Sequence, residues 1–151
     1  MTRDPQFWDR WFLHMASYVS TASKDPSTKC GAVIVDPAKR IIGTGYNGFA
    51  RGVVDDEVRY AIREKKYLYV VHAEVNAILF AKCDLTAHTL YVWPFPCCAR
   101  CAAVVVQAGI TRVVYPNAMM SRELGERWAD DLAATGKMFQ EAGVRLEGVT
   151  L

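Results

Sequence analysis

From residue 73 to the C-terminus the chain alternates between two apolar periods, and this constrains the fold more than any other feature. Repeats of three and four over residues 73–83, about 98–108 and about 122–141 predict helices, interleaved with short runs rich in β-branched and aromatic residues: "HTLYVW" at 88–93, "TRVVY" at 111–115 and a closing "VRLEGV". Gly109 and Gly143 stand where a left-handed residue closes a helix. Helices alternating with strands imply parallel pairing and a sheet covered on both faces. Upstream, "CGAVIVD" and "RIIGTGYNG" read as the two arms of a hairpin, so the sheet is expected to be mixed. The predicted fold class is α/β, a three-layer α/β/α sandwich with about five strands.

Two further segments complete the pattern. Residues 4–22 predict a helix, with Phe7, Trp11, Phe12, Met15, Tyr18 and Val19 on one face and Asp4 as a cap before Pro5. Residues 47–71 break the alternation with Asn47-Gly48 and Arg51-Gly52, then run on through a charged, tyrosine-rich stretch with room for one short helix. A loop of that length in a compact domain is usually functional or disordered. The chain shows no internal repeat or linker, and its 151 residues are expected to form a single domain, 1–151.

Composition limits the function. With 52% hydrophobic and 23% charged residues the chain is expected to be ordered. A net charge of +2 speaks against a dedicated nucleic-acid face, so nucleic acid is not the expected substrate. The start lacks a secretory pattern, and every long apolar run is interrupted well short of a bilayer span, so a cytoplasmic protein without membrane association is expected. Five cysteines in such a chain are better read as thiols or metal ligands than as a disulfide framework.

Three of those cysteines, Cys97, Cys98 and Cys101, fall in "FPCCARCAA". Cys98-x-x-Cys101 has the spacing with which two thiolates grip one metal from the first turn of a helix, although CxxC alone could equally be a redox pair. A helix N-terminus stabilises thiolate in either use. His72 opens the preceding helix, and in an alternating fold two successive helix starts can meet at one sheet edge. His72, Cys98 and Cys101 could then share a zinc ion with one position left for water, and Glu74, two residues past the histidine, could take and return a proton.

A histidine-x-glutamate pair followed by a proline-cysteine-x-x-cysteine run is the signature of zinc deaminases acting on nucleobases. The sequence resembles the cytidine and deoxycytidylate deaminase superfamily, most closely its deoxycytidylate (dCMP) branch, from about residue 7 to 115. The matching pieces are "SKDPSTKCGAVIVD", "GTGYNGFARGV", "YVVHAEVNAIL", "LYVWPFPCCARCA" and "VVQAGITRVVY". The resemblance implies zinc ligation by His72, Cys98 and Cys101, proton transfer by Glu74, and substrate contacts from Asn47, which would help hold the sugar, and Ala73. It implies attack of metal-activated water on carbon 4 of a cytosine ring, with Glu74 serving the ring nitrogen and the departing amine. The expected substrate is a small cytosine nucleotide, dCMP converted to dUMP with release of ammonia. The resemblance implies a homo-oligomer, a hexamer, and regulation by deoxynucleoside triphosphates as well.

Two departures from the family pattern matter. The cysteine run carries one extra residue, so that Cys97 follows the proline while Cys98 keeps the two-residue spacing to Cys101; the spacing favours Cys98. After Tyr115 the family's Asp-Lys-Tyr-His segment is replaced by "PNAMMSREL", which leaves open a free base, modified cytosine or nucleoside as substrate. Editing of a base in transfer RNA or single-stranded DNA, or a zinc-stabilised interaction domain closed by Cys97, His88, Cys83 or Cys30, are the further alternatives. Cys30 and Cys83 are expected to be inert core thiols, and His14 and His88 to have no chemical role. Arg59, Arg63, Lys65 and Lys66 read as a solvated helix face or a phosphate site, and Trp93 and Phe95 as core or as an aromatic wall for a base.

Overall fold

A computed structural model describes residues 4–117 and 121–151; residues 118–120 of the divergent "PNAMMSREL" segment lie outside the described residues. Five strands form the main sheet: β1 (Gly31–Val35), β2 (Ile41–Tyr46), β5 (Thr89–Trp93), β6 (Arg112–Pro116) and β7 (Arg145–Val149), in the order β2-β1-β5-β6-β7. The sheet is mixed, as expected. β5, β6 and β7 are parallel, whereas β1 runs antiparallel to both β2 and β5. The parallel pairing inferred from the alternation therefore starts only at β5. The physical reason is the hairpin: β1 is inserted between β2 and β5, and helix α4 (Ala73–Ala81) crosses from one to the other, packing over β2 and β1.

Alternation along the strands builds two cores. Val33 and Val35 of β1 face α1 (Phe7–Ser20), where Phe12, Leu13 and Ala16 are buried against Tyr91, Val114 and Val149. Ala32 and Ile34 face the other way, toward α4, α5 (Ala99–Gln107) and α7 (Ala129–Ala142), which contribute Ala77, Ala102, Val105 and Phe139. These are the three expected layers. Glycine sets how closely the helices approach. A Cβ on Gly45 of β2 would lie 2.3 Å from both the Ala73 carbonyl oxygen and the Ala77 nitrogen, so only glycine lets the start of α4 rest backbone to backbone on the strand.

α1 begins at Phe7, not at Asp4; Asp4 instead takes the Gln6 N–H on its carboxylate and the Phe7 N–H on its carbonyl, forming a turn ahead of the helix. The segment expected to hold one short helix holds two, α2 (Glu57–Ala61) and α3 (Arg63–Tyr69), framed by a small ribbon of β3 (Gly48–Phe49) and β4 (Val70–Val71). Asp56 caps α2 by accepting from the Val58 N–H, while Phe49 stacks on Tyr60 with ring centroids 4.1 Å apart. The helix predicted over 122–141 is broken at Trp128, where the backbone leaves helical geometry (φ −102°, ψ 7°) between α6 (Arg122–Arg127) and α7. Cys83 is exposed, contrary to the expected core position, because the left-handed Lys82 ends α4 one residue before it. Among the described residues no helix is long and apolar enough to cross a membrane.

Candidate active site

His72 and Cys98 occupy equivalent places. Each is the N-cap of its helix, α4 and α5, with extended backbone (φ −73°, ψ 157° and φ −68°, ψ 163°), and each gives its carbonyl to the first helical bond, from Asn76 and Ala102. Neither side chain caps its own helix. Both point instead to a common spot, where His72 Nδ1 is 3.5 Å from Cys98 Sγ and 3.3 Å from Cys101 Sγ. The three ligand atoms lie within 4.8 Å of one another, and no other such group of His, Cys, Asp or Glu occurs among the described residues. Tetrahedral zinc, with bonds of about 2.0 Å to nitrogen and about 2.3 Å to sulfur, separates N and S by roughly 3.5 Å. The donor set therefore fits zinc with three protein ligands and leaves a fourth position for a small molecule.

Proton sharing within the triad has the character of a ligand set. The Cys101 thiol, followed by His72, hydrogen-bonds to Cys98 and holds its thiol far below the ordinary range despite burial. Cys101 is pushed up, first by that same bond and then by burial, and the Cys98 sulfur raises His72. These are protons that a bound cation displaces. Glu74 sits in the first turn of α4 with 8% of its surface exposed; burial raises its carboxyl above the usual range, with His72 pulling the other way.

The structure places Cys98 in the metal group and leaves Cys97 out of it, although the Cys97 thiol still meets Glu74. Cys97 is fully buried in the core, where burial pushes its thiol up, and its carbonyl accepts from Thr135 Oγ1 at 3.0 Å. Cys83 and His88 stand outside the metal group, and so does Cys30, although it lines the adjacent cavity, its thiol raised to about 12, first by burial. No fourth protein ligand of those candidates closes the site.

That cavity, of about 490 Å³, has His72, Glu74 and Cys98 in its wall. Asn47 also lines it, but most of its side chain is already engaged: Oδ1 accepts from the Cys30 N–H at 2.7 Å, and Nδ2 donates to the Thr28 carbonyl at 2.9 Å and to Asp25 at 3.2 Å. One Oδ1 lone pair is left. Ala73 is not part of the cavity wall; its side chain is buried in the core, leaving its backbone as the part that could meet a substrate. Trp93 and Phe95 both face the cavity.

Other residues in the wall were read from the sequence only in part. Asp25, 1% exposed, pairs with Lys66 at 2.6 Å and accepts the Ser27 and Thr28 amides, tying α3 to the "SKDPSTK" turn. Lys66 is therefore no solvated helix residue. Arg63 lines the cavity too, while Arg59 lies over the Tyr69 ring and Lys65 is not in the wall. From the far end of the chain come Leu124, Arg127, Trp128 and Asp131. The cluster Arg59, Arg63, Lys65 and Lys66 was the sequence signal for the cationic part of this wall, and it did not distinguish the residues that line the cavity from those in solvent.

An α/β/α sandwich carrying one histidine and two cysteines on adjacent helix starts, with a buried glutamate beside them, defines a metal-dependent hydrolase site. The chain belongs to the cytidine and deoxycytidylate deaminase zinc-binding family, whose pattern matches residues 6–117, and zinc is its cofactor. It is 42% identical over 144 residues to a protein named as an uncharacterized deaminase in the luxG 3′ region of Aliivibrio fischeri, covering 95% of each chain. It is 37% identical over 143 residues to the Homo sapiens deoxycytidylate deaminase, covering 91% of this chain and 76% of that one. The fold matches that of the cyanophage S-TIM5 dCMP deaminase, solved in complex with dCMP and dUMP, with a TM-score of 0.72, 22% identity, and coverage of 98% of this chain and 100% of the other.

Proposed function

We propose that the protein deaminates dCMP hydrolytically, dCMP and water giving dUMP and ammonia. One observation carries this reading: a single cavity is lined by His72, Cys98 and Glu74 of the candidate metal site and also by the cationic side chains of Arg63, Lys66 and Arg127. A cytosine ring needs the first set and a monophosphate the second.

His72, Cys98 and Cys101 would hold the zinc, which supplies a Lewis acid that makes water a competent nucleophile near neutral pH. Glu74 takes the proton released by the attacking water and returns protons to the ring nitrogen and the departing amine. Its burial keeps bulk water from competing for that proton. Asn47 meets the sugar through its remaining Oδ1 lone pair, held in place by its bonds to Cys30, Thr28 and Asp25. Ala73, whose side chain lies in the core, has only its backbone to offer the base. Lys66 is committed to Asp25, so Arg63 and Arg127 have the N–H groups most available to phosphate.

Assembly into a homo-oligomer belongs to the same reading. It is supported by large apolar side chains left open on α3 and α4, where Leu68, Leu79 and Phe80 are 80%, 62% and 51% exposed. The test of substrate class is ammonia release from dCMP beside deoxycytidine. A kcat/KM at least about tenfold higher for the nucleotide is expected from one charge-assisted phosphate contact; equal values would remove phosphate recognition from the account.

A further inference from the structure

Cys98 stands at a helix N-cap without capping the helix. Residues at this position usually give a side-chain oxygen to an open N–H of the first turn, and that bond stabilises a helix by about 1 kcal/mol. Here the side chain is a sulfur turned toward His72. The first turn of α5, which must keep Cys98 and Cys101 a fixed distance apart, therefore lacks its local anchor.

The anchor comes from α7. Asp131 Oδ2 accepts the Ala99 N–H at 2.9 Å, immediately after Cys98, and Thr135 Oγ1 donates to the Cys97 carbonyl at 3.0 Å, immediately before it. Thr135 and Cys97 are both 0% exposed, so this bond is shielded from competing water. The two residues are four apart and lie one above the other on the same face of α7. A carboxylate at the start of α5 also has the favourable sign for the helix dipole. The peptide groups on both sides of Cys98 are thus clamped by one helix that is absent from the metal group itself.

We propose that α7 is the brace of the metal site, with Asp131 and Thr135 as positioning residues that hold the cysteine turn in ligating geometry. The inference rests on the reading of His72, Cys98 and Cys101 as the zinc ligands. It predicts that metal retention depends on two side chains that never touch the metal.

The experiment follows zinc loss from the purified full-length protein to a chromophoric chelator, together with the absorption spectrum of the cobalt-substituted protein. Thr135→Val keeps the shape and removes the hydroxyl; Asp131→Ala removes the acceptor. Each is expected to speed zinc loss by about tenfold or more and to alter the cobalt–thiolate bands. Thr135→Ser and Asp131→Asn, which keep a donor and an acceptor respectively, should return most of the wild-type behaviour. Unchanged zinc loss and unchanged cobalt spectra in folded Thr135→Val and Asp131→Ala overturn the proposal while leaving the metal reading intact. A folded Thr135→Ser as impaired as Thr135→Val also overturns it, since the hydroxyl would then be irrelevant. A wild-type protein that holds no zinc overturns the metal reading itself.

Discussion

The floor and the rim of the cavity are built differently. The floor is the candidate metal site, with His72, Glu74 and Cys98 in the cavity wall and Cys101 beside them in the metal group; all four sit at the starts of α4 and α5, helices seated on the sheet through Ala73, Ala77, Ala102 and Val105, each no more than 1% exposed. At the rim, Arg63 and Arg127 come from α3 and α6, which bury no residue at all. A packed core can hold ligand atoms to a few tenths of an ångström, whereas segments without core residues are held by a few polar contacts and tolerate exchange. In the proposed reading the chemistry falls where the fold is stiffest, and substrate choice where it is most easily altered.

That contrast can be broken most sharply within the floor. Cys98→Ala should abolish zinc binding and activity together, while Cys97→Ala, one residue away, should keep its metal and lose only about 1–2 kcal/mol of stability for the buried side chain removed. Metal content and denaturant unfolding measure both; a zinc-free Cys97→Ala beside a zinc-loaded Cys98→Ala would exchange their roles. Next in size, Glu74→Gln should lower kcat by about 10²–10⁴ with zinc content unchanged. Wild-type turnover in that variant would remove the proton carrier from the floor.

Rim substitutions should act through substrate affinity. Arg63→Ala and Arg127→Ala are each expected to raise KM for dCMP about tenfold, leaving deoxycytidine kinetics unaltered. An equal loss on both substrates would show that the rim shapes the floor and does not select the phosphate.

The smallest expected effect lies far from the cavity. Asp9 of α1 receives both guanidinium arms of Arg112 at 2.8 Å and the Tyr91 hydroxyl at 2.8 Å. Burial pushes its carboxyl up, but these bonds outweigh it and the net shift is downward. Because the folded value is depressed, the contribution is complete above the unfolded carboxylate value of about 4 and fades as pH falls toward the folded one. Asp9→Asn should therefore cost about 1–2 kcal/mol near neutrality, and the gap to wild type in thermal melts should narrow below about pH 4.

Much of the floor was legible before the structure. His72 and Glu74, and Cys98 and Cys101, are near neighbours in sequence at the starts of periodic helices, so local pattern carries them. Cys97 and Cys98 differ in a way the sequence does not show: Cys97 is buried in the core, whereas Cys98 stands in the candidate metal group. Trp128 was hidden because a one-residue break barely disturbs a helical period. Asp25, Arg127, Asp131 and Thr135 were invisible for another reason: each acts on a segment far away along the chain, and an aspartate or threonine on a helix has no local mark of its partner.

The sequence by itself determined the class of fold and marked the candidate metal ligands and the candidate acid-base residue, because these follow from periodicities and helix-start chemistry within a few residues. Only the tertiary structure decided the antiparallel place of β1, the burial of Cys97, the Asp25–Lys66 pair and the bracing of α5 by α7. Those depend on which surfaces meet when the sheet closes, and contacts between distant segments are set by packing the whole chain at once.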